Sequence, residues 1–244
     1  MNPASQPFEQ KSNEINNSNN PADQKTQSSK NIFWDIVWSI ILILILFVII
    51  PLRVFVYQQV NVVGPSMQPN YFTDEQLFIN ATDKNLDRGQ VVAVYEDKTI
   101  AANANYFTRF SAKFFLKRVI AFPGEEVEMV GDKVIIYNSQ YPNGVVLNED
   151  YISDEVKTIE KRNQFYFPRT KILENSYFLL GDNRIDSLDS RVKGAFPNYT
   201  IFGKEVAKYL PINKFRTFNL PTYQYEPISD EIKSLQTKFA QEKK

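Results

Sequence analysis

The run "IVWSIILILILFVIIPL", residues 36–52, holds seventeen residues without a charge. That is near the lower limit for a helix spanning a bilayer, and Phe33, Trp34 and the apolar side chains of 54–57 extend it. A helix in a globular protein normally keeps a polar face, and this one has only Ser39. The run therefore reads as a membrane anchor over 33–57, with a buried core helix as the alternative. A cleaved secretory signal fits poorly, because the preceding tail is long and neutral and no Ala-x-Ala site follows the run. Lys25 and Lys30 before the run and Arg53 after it lean toward a cytoplasmic tail and an exported body. The protein is thus expected as a single-pass protein of the cell membrane. Residues 1–32, rich in Asn, Ser, Gln and Pro, carry too few large apolar groups to offset the entropy of ordering and are expected to be a disordered polar tail.

Past the anchor, roughly 185 residues are enough for one sizeable core. Their apolar segments are short, β-branched or aromatic, and set apart by turn signals: "QVVAVYED", "EVEMVGDKVIIYN", "YPNGVVL" and "SYFLLGDN". The pieces "VGDKV" and "YPNGV" read as hairpin turns. A mainly β, antiparallel domain over 58–220 follows, with 221–244 as a C-terminal tail. Within that tail "SDEIKSLQTKFAQEKK" has a capping Ser229 and apolar residues at helical spacing, the pattern of a short, exposed helix. The aromatics of "NANYFTRFSAKFF", residues 103–115, either rest on lipid or pack in the core.

Composition excludes several chemistries. The chain has no His and no Cys, so neither a Ser-His-Asp arrangement, a thiol nucleophile nor a thiolate zinc site can be built from it. Any activated serine must find its base among Lys, Tyr, Asp and Glu. Lys plus Arg and Asp plus Glu number 28 each, which gives no basic excess to steer the chain to nucleic acid. No cofactor is called for. The loop "GDNRIDSLDSR", residues 181–191, is dense in Asp, but a calcium loop counted from Asp182 would need a ligand at Arg184, glycine at Ser187 and Glu at Lys193. No metal site is expected there.

Three stretches carry candidate chemistry. "VVGPSMQPNY" at 62–71 presents Ser66 beside Gly and Pro, ordinary loop company taken alone. In "FFLKRVIAFPGE" at 114–125, Lys117 and Arg118 interrupt an apolar run. Burying an ammonium is costly unless it is paired or gives up its proton; an edge strand whose lysine snorkels to water is the alternative. The loop 181–191 is either a hydrogen-bonded, ion-paired support for other groups or a solvated surface loop.

"PSMQP", "RGQVVAV", "LKRVIAFPGE" and "SYFLLGDNRIDSLDSR", in this order behind an anchor, resemble the successive motifs of type I signal peptidase, the Ser/Lys protease that removes signal peptides from exported preproteins. The likeness spans about residues 35–210. It implies Ser66 as nucleophile and Lys117 as general base, with Ser187 holding the lysine amine and Arg118, Asp182, Asp189 and Arg191 forming supporting ion pairs. An extended preprotein segment would add to the strand edges at 60–64 and 114–116, with Val62 and Leu116 walling shallow pockets that accept small side chains. Gly64 departs from family members that carry a serine two places before the nucleophile to help hold the oxyanion. This leaves the Ser66 N–H as the one donor that can be named, and the resemblance implies preproteins bearing signal peptides and the lipid bilayer as partners. A related Ser/Lys inner-membrane peptidase, and an anchored β-domain that binds export substrates without cutting them, are the two other readings.

Overall fold

The computed structural model describes residues 21–51, 56–104, 112–162 and 165–242. The chain divides into two compact units, Met1–Pro51 and Leu52–Lys244. The first contains α1, Pro21–Leu44, continued by a π-helical turn, Ile45–Ile49. Over Ile32–Ile49 this helix is long and apolar enough to cross a membrane, and no part of that window is buried inside protein. A core helix would be covered, so the core-helix alternative has no support in the structure. The helix is already under way at Pro21, inside the stretch read as a tail. Residues 1–20 lie outside the described residues.

The second unit is built from two antiparallel sheets. One has the strand order β1 (Tyr57–Asn61), β2 (Gln76–Asn80), β11 (Ile201–Leu210), β3 (Val91–Tyr95), β4 (Phe114–Ala121), β9 (Ser176–Leu180) and β10 (Phe196–Pro197), with β12 (Arg216–Thr217) also on β11. The other runs β13 (Tyr225–Pro227), β7 (Val145–Leu147), β6 (Lys133–Tyr137), β5 (Glu126–Val130) and β8 (Tyr166–Lys171). The continuous apolar run of β3 is buried along its whole length because the strand lies between β11 and β4. Val130 pairs with Lys133, so Gly131 and Asp132 form a two-residue hairpin loop with Gly131 at φ 60 in the first central position, as a type II′ turn requires. "YPNGV" makes a turn as well, Gly144 N–H donating to Tyr141 O at 3.0 Å, but inside a longer connection over 138–144.

Of residues 221–244, the described stretch over 225–242 packs on the second sheet. β13 pairs with β7, and the helix Asp230–Glu242, capped by the Ser229 hydroxyl, docks rather than standing exposed. Its Ile232, Leu235 and Phe239 recur at helical spacing and pack on Val130, Ile135, Tyr137 and Val146. Of the aromatic stretch at 103–115, residues 105–111 lie outside the described residues; Phe114 packs with Tyr95 and Phe202 in the core.

Candidate active site

Lys117 lies in β4, paired with Val92 of β3 on one side, just before the pairing with β9 begins at Arg118. Its side chain is 1% exposed, so it does not snorkel to water. Nζ donates to Ser66 Oγ at 2.9 Å and to Leu116 O at 2.8 Å. Burial is the main force pushing its pKa down, to about 8; Asp189 and Asp182 oppose the shift, and Lys193 and Arg191 add to it.

Ser66 reaches the lysine at the start of a turn whose following residues are anchored in the core. Met67 and Tyr71, 1% and 2% exposed, plunge into the core, and the carbonyl of Met67 accepts the Tyr71 N–H at 3.0 Å. Ser66 itself stays half-buried. In the sheet β1 and β4 are separated by β2, β11 and β3, yet Ser66, just beyond β1, touches β4. The sheet must therefore curl on itself, as twisted sheets do. The Ser66 carbonyl accepts the Asn183 N–H at 3.1 Å, and a Cβ on Gly181 would fall 2.4 Å from that carbonyl and 2.3 Å from Ser187 Oγ. Only glycine fits there. Among the described residues, no acceptor takes the Ser66 N–H.

Arg118 pairs with Asp182 and Arg191 with Asp189. Arg118 donates to Asp182 through Nε at 2.8 Å and through Nη2, and to Gly89 O at 2.8 Å, while its guanidinium lies 4.1 Å from the centre of the Tyr151 ring. Asn70 bridges Asp182 and the Tyr151 carbonyl, both at 2.8 Å. Asp189 is fully buried and accepts from Gly181 N–H at 3.1 Å and from Arg191 Nε at 2.9 Å; the Arg191 guanidinium holds its carboxyl below the ordinary range against the cost of burial.

Two expectations need revision, and Gly64 acquires a backbone reason. Ser187 does not hold the lysine: its Oγ is buried, lies toward Asp189, and makes no hydrogen bond with Nζ, whose second bond goes to Leu116 O. Val62 and Leu116 do not stand open as pocket walls; at 2% and 5% exposed they belong to the core cluster with Met67 and Leu77. Gly64 has φ 84 with open space where a Cβ would go, so the glycine is there for backbone conformation. Gly64→Ala and Gly64→Ser should both destabilise by about 1–2 kcal/mol, the cost of a left-handed L-residue. Chemical denaturation checks this, with equal loss in both variants as the expected result.

β1 is the terminal strand of its sheet, and β9 engages β4 only from Arg118 onward, so residues 114–116 present an open edge on that side. Gly181, Asn183 and Asn70 were not singled out. Their signal was Gly and Asn beside "PSMQP" and "SYFLLGDN", which marks a turn but not its partner.

The family described as signal peptidase, peptidase S26, matches residues 34–210. Signal peptidase I S of Bacillus subtilis (strain 168) is 30% identical over 176 residues, covering 69% of this chain and 85% of its own length. A signal peptidase I of Bacillus amyloliquefaciens is 28% identical over 204 residues, covering 80% of this chain and 95% of its own length. The crystal structure of a signal peptidase I from Enterococcus faecalis V583 is 27% identical and covers 49% of this chain and 96% of that one, with a TM-score of 0.36.

Proposed function

The chain belongs to the signal peptidase family, peptidase S26, and is a serine endopeptidase that removes signal peptides from preproteins; from that premise we propose that Ser66 and Lys117 are its catalytic dyad. The observation that carries this reading is the 2.9 Å bond between Ser66 Oγ and a buried lysine whose pKa is lowered to about 8. A neutral Nζ takes the Oγ proton as Oγ attacks the scissile carbonyl, and the resulting ammonium returns that proton to the leaving amine. The acyl-enzyme ester is then released by water, with the same amine as base. The free Ser66 N–H is suited to the developing oxyanion.

The two open edges, β1 and residues 114–116, suit an extended peptide whose backbone groups they would satisfy. With Val62 and Leu116 packed into the core beneath those edges, little depth is left for a side chain. Small residues at alternate positions fit that shape. The helix over Ile32–Ile49 serves as the membrane anchor, and the catalytic unit faces the exported side. Balanced charge leaves nucleic acid without an attraction.

The test is cleavage of an Ala-x-Ala preprotein in detergent by the intact chain and by Ser66→Ala. Loss of all cleavage above background, with an unchanged melting curve, is the expected result. Equal cutting by both would reassign the nucleophile.

A further inference from the structure

Residues 218–227 lie beyond the stretch that matches the family, yet they join the two sheets and pass beside Arg118 and Gly89. β12 ends on β11 of the first sheet, Phe218 N–H donates to Val206 O at 2.8 Å, and β13 begins on β7 of the second. Between these points the chain presses on Gly89. A Cβ there would stand 2.5 Å from Pro221 Cγ and 2.9 Å from Tyr223 Cε2. The Gly89 carbonyl is the one that accepts Arg118 Nη1.

Tyr223 makes the closest link. Its hydroxyl lies 3.0 Å from the Tyr151 hydroxyl. Tyr151 has a single proton and donates it to Glu149, so Tyr223 is the donor to Tyr151. The Tyr151 ring in turn underlies the Arg118 guanidinium, and its carbonyl holds Asn70 against Asp182. A cavity of about 170 Å³ separates Arg118, Tyr151 and Asn70 from Arg216, Phe218 and Pro221. The segment is its roof.

We propose that residues 218–227 form a strap that positions the catalytic lysine, with Tyr223 as the positioning residue, acting through Tyr151 on Arg118. Arg118 follows Lys117 in β4, and clamping its guanidinium between Asp182, Gly89 O and the Tyr151 ring fixes the strand that aims Nζ at Ser66. The strap rests on the reading of Lys117 as general base. The charged groups facing that lysine are Asp182, Asp189 and Arg191 of the loop after β9, Lys193 just beyond them, and Arg118 on its own strand.

The experiment uses the full chain in detergent with an Ala-x-Ala preprotein, measuring kcat and KM from pH 6 to pH 10. Tyr223→Phe keeps the ring on Gly89 and removes only the hydroxyl, so it should fold. We expect kcat to fall by about tenfold, the lower range for losing an orienting partner, with KM little changed. The acid limb should move to higher pH, because a Tyr151 ring freed from Tyr223 loosens the clamp on Arg118, and the shift of β4 that follows relaxes the burial that keeps Lys117 neutral. Tyr151→Phe should reproduce both effects, and the double variant should add nothing further. A limb that stays in place in Tyr223→Phe, whatever the rate, would overturn the strap while leaving the base reading intact. A wild-type profile without a limb near pH 8 would overturn both.

Discussion

Lys117→Arg should give a folded protein that still binds signal peptide and does not cut it. An arginine keeps its proton at every accessible pH, so it cannot take the proton of Ser66, and loss of a general base costs about 10²- to 10⁴-fold in rate. In the wild type, activity should rise with pH along a limb centred near 8, where burial places the lysine. Stability follows with a definite sign. The folded pKa lies below the ordinary lysine value, so the unfolded state binds more protons between about pH 8 and 10.5, and stability rises through that window. Below pH 8 the full cost of burying the ammonium is present, on the order of 3 kcal/mol for a shift of this size. Stopped-time cleavage assays and denaturant titrations across pH 6–10 check both statements. Near-normal cutting by Lys117→Arg, or a limb unrelated to pH 8, would exclude the Ser/Lys mechanism here.

Asp182→Ala should produce the largest loss of stability among the loop variants. Asp182 and Arg118 are 1% and 4% exposed, and the carboxylate accepts two of the guanidinium's bonds as well as the Asn70 amide. Removing it leaves a buried cation with only Gly89 O and the Tyr151 ring for company. Stranding one member of a buried pair typically costs about 3–5 kcal/mol, which at about 2–4 °C per kcal/mol for a domain of this size lowers the melting temperature by roughly 10 °C. Asp186, exposed on the same loop, is the control: Asp186→Ala should stay within about 0.5 kcal/mol of wild type. Matching melting curves for the two variants would contradict the buried-pair account.

The buttress at 218–227 gives these two results a common frame. Lys117 and Arg118 are neighbours in one strand, and the proposed mechanism sets them opposite requirements, since the lysine would shed its proton and the arginine keep its own. Burial alone serves the first. The second needs a full set of acceptors at the same depth, and Asp182, Gly89 O and the Tyr151 ring supply it.

Much of this was legible in the chain itself. The uncharged run over 36–52 specifies an apolar helix by length, and the missing histidine limits any base for Ser66 to Lys, Tyr, Asp or Glu, among which the resemblance to signal peptidase implies Lys117. Gly131 and Asp132 specify their hairpin turn because few residues tolerate that backbone. These are local statements, and local sequence carries them. Whether Lys117 sat on an edge or in the interior was undecidable from "FFLKRVIA", because the strand that covers β4 comes about sixty residues later. Ser187 was assigned to the lysine, yet its hydroxyl turns toward Asp189, a choice between two acceptable partners that only packing around Gly181 makes. The docking of the last helix and the strap behind Arg118 depend on surfaces assembled from both sheets. A sequence shows which groups are costly to bury and which turns are permitted. The partners that meet a buried charge come from distant segments, and only the closed tertiary structure brings them within hydrogen-bonding distance.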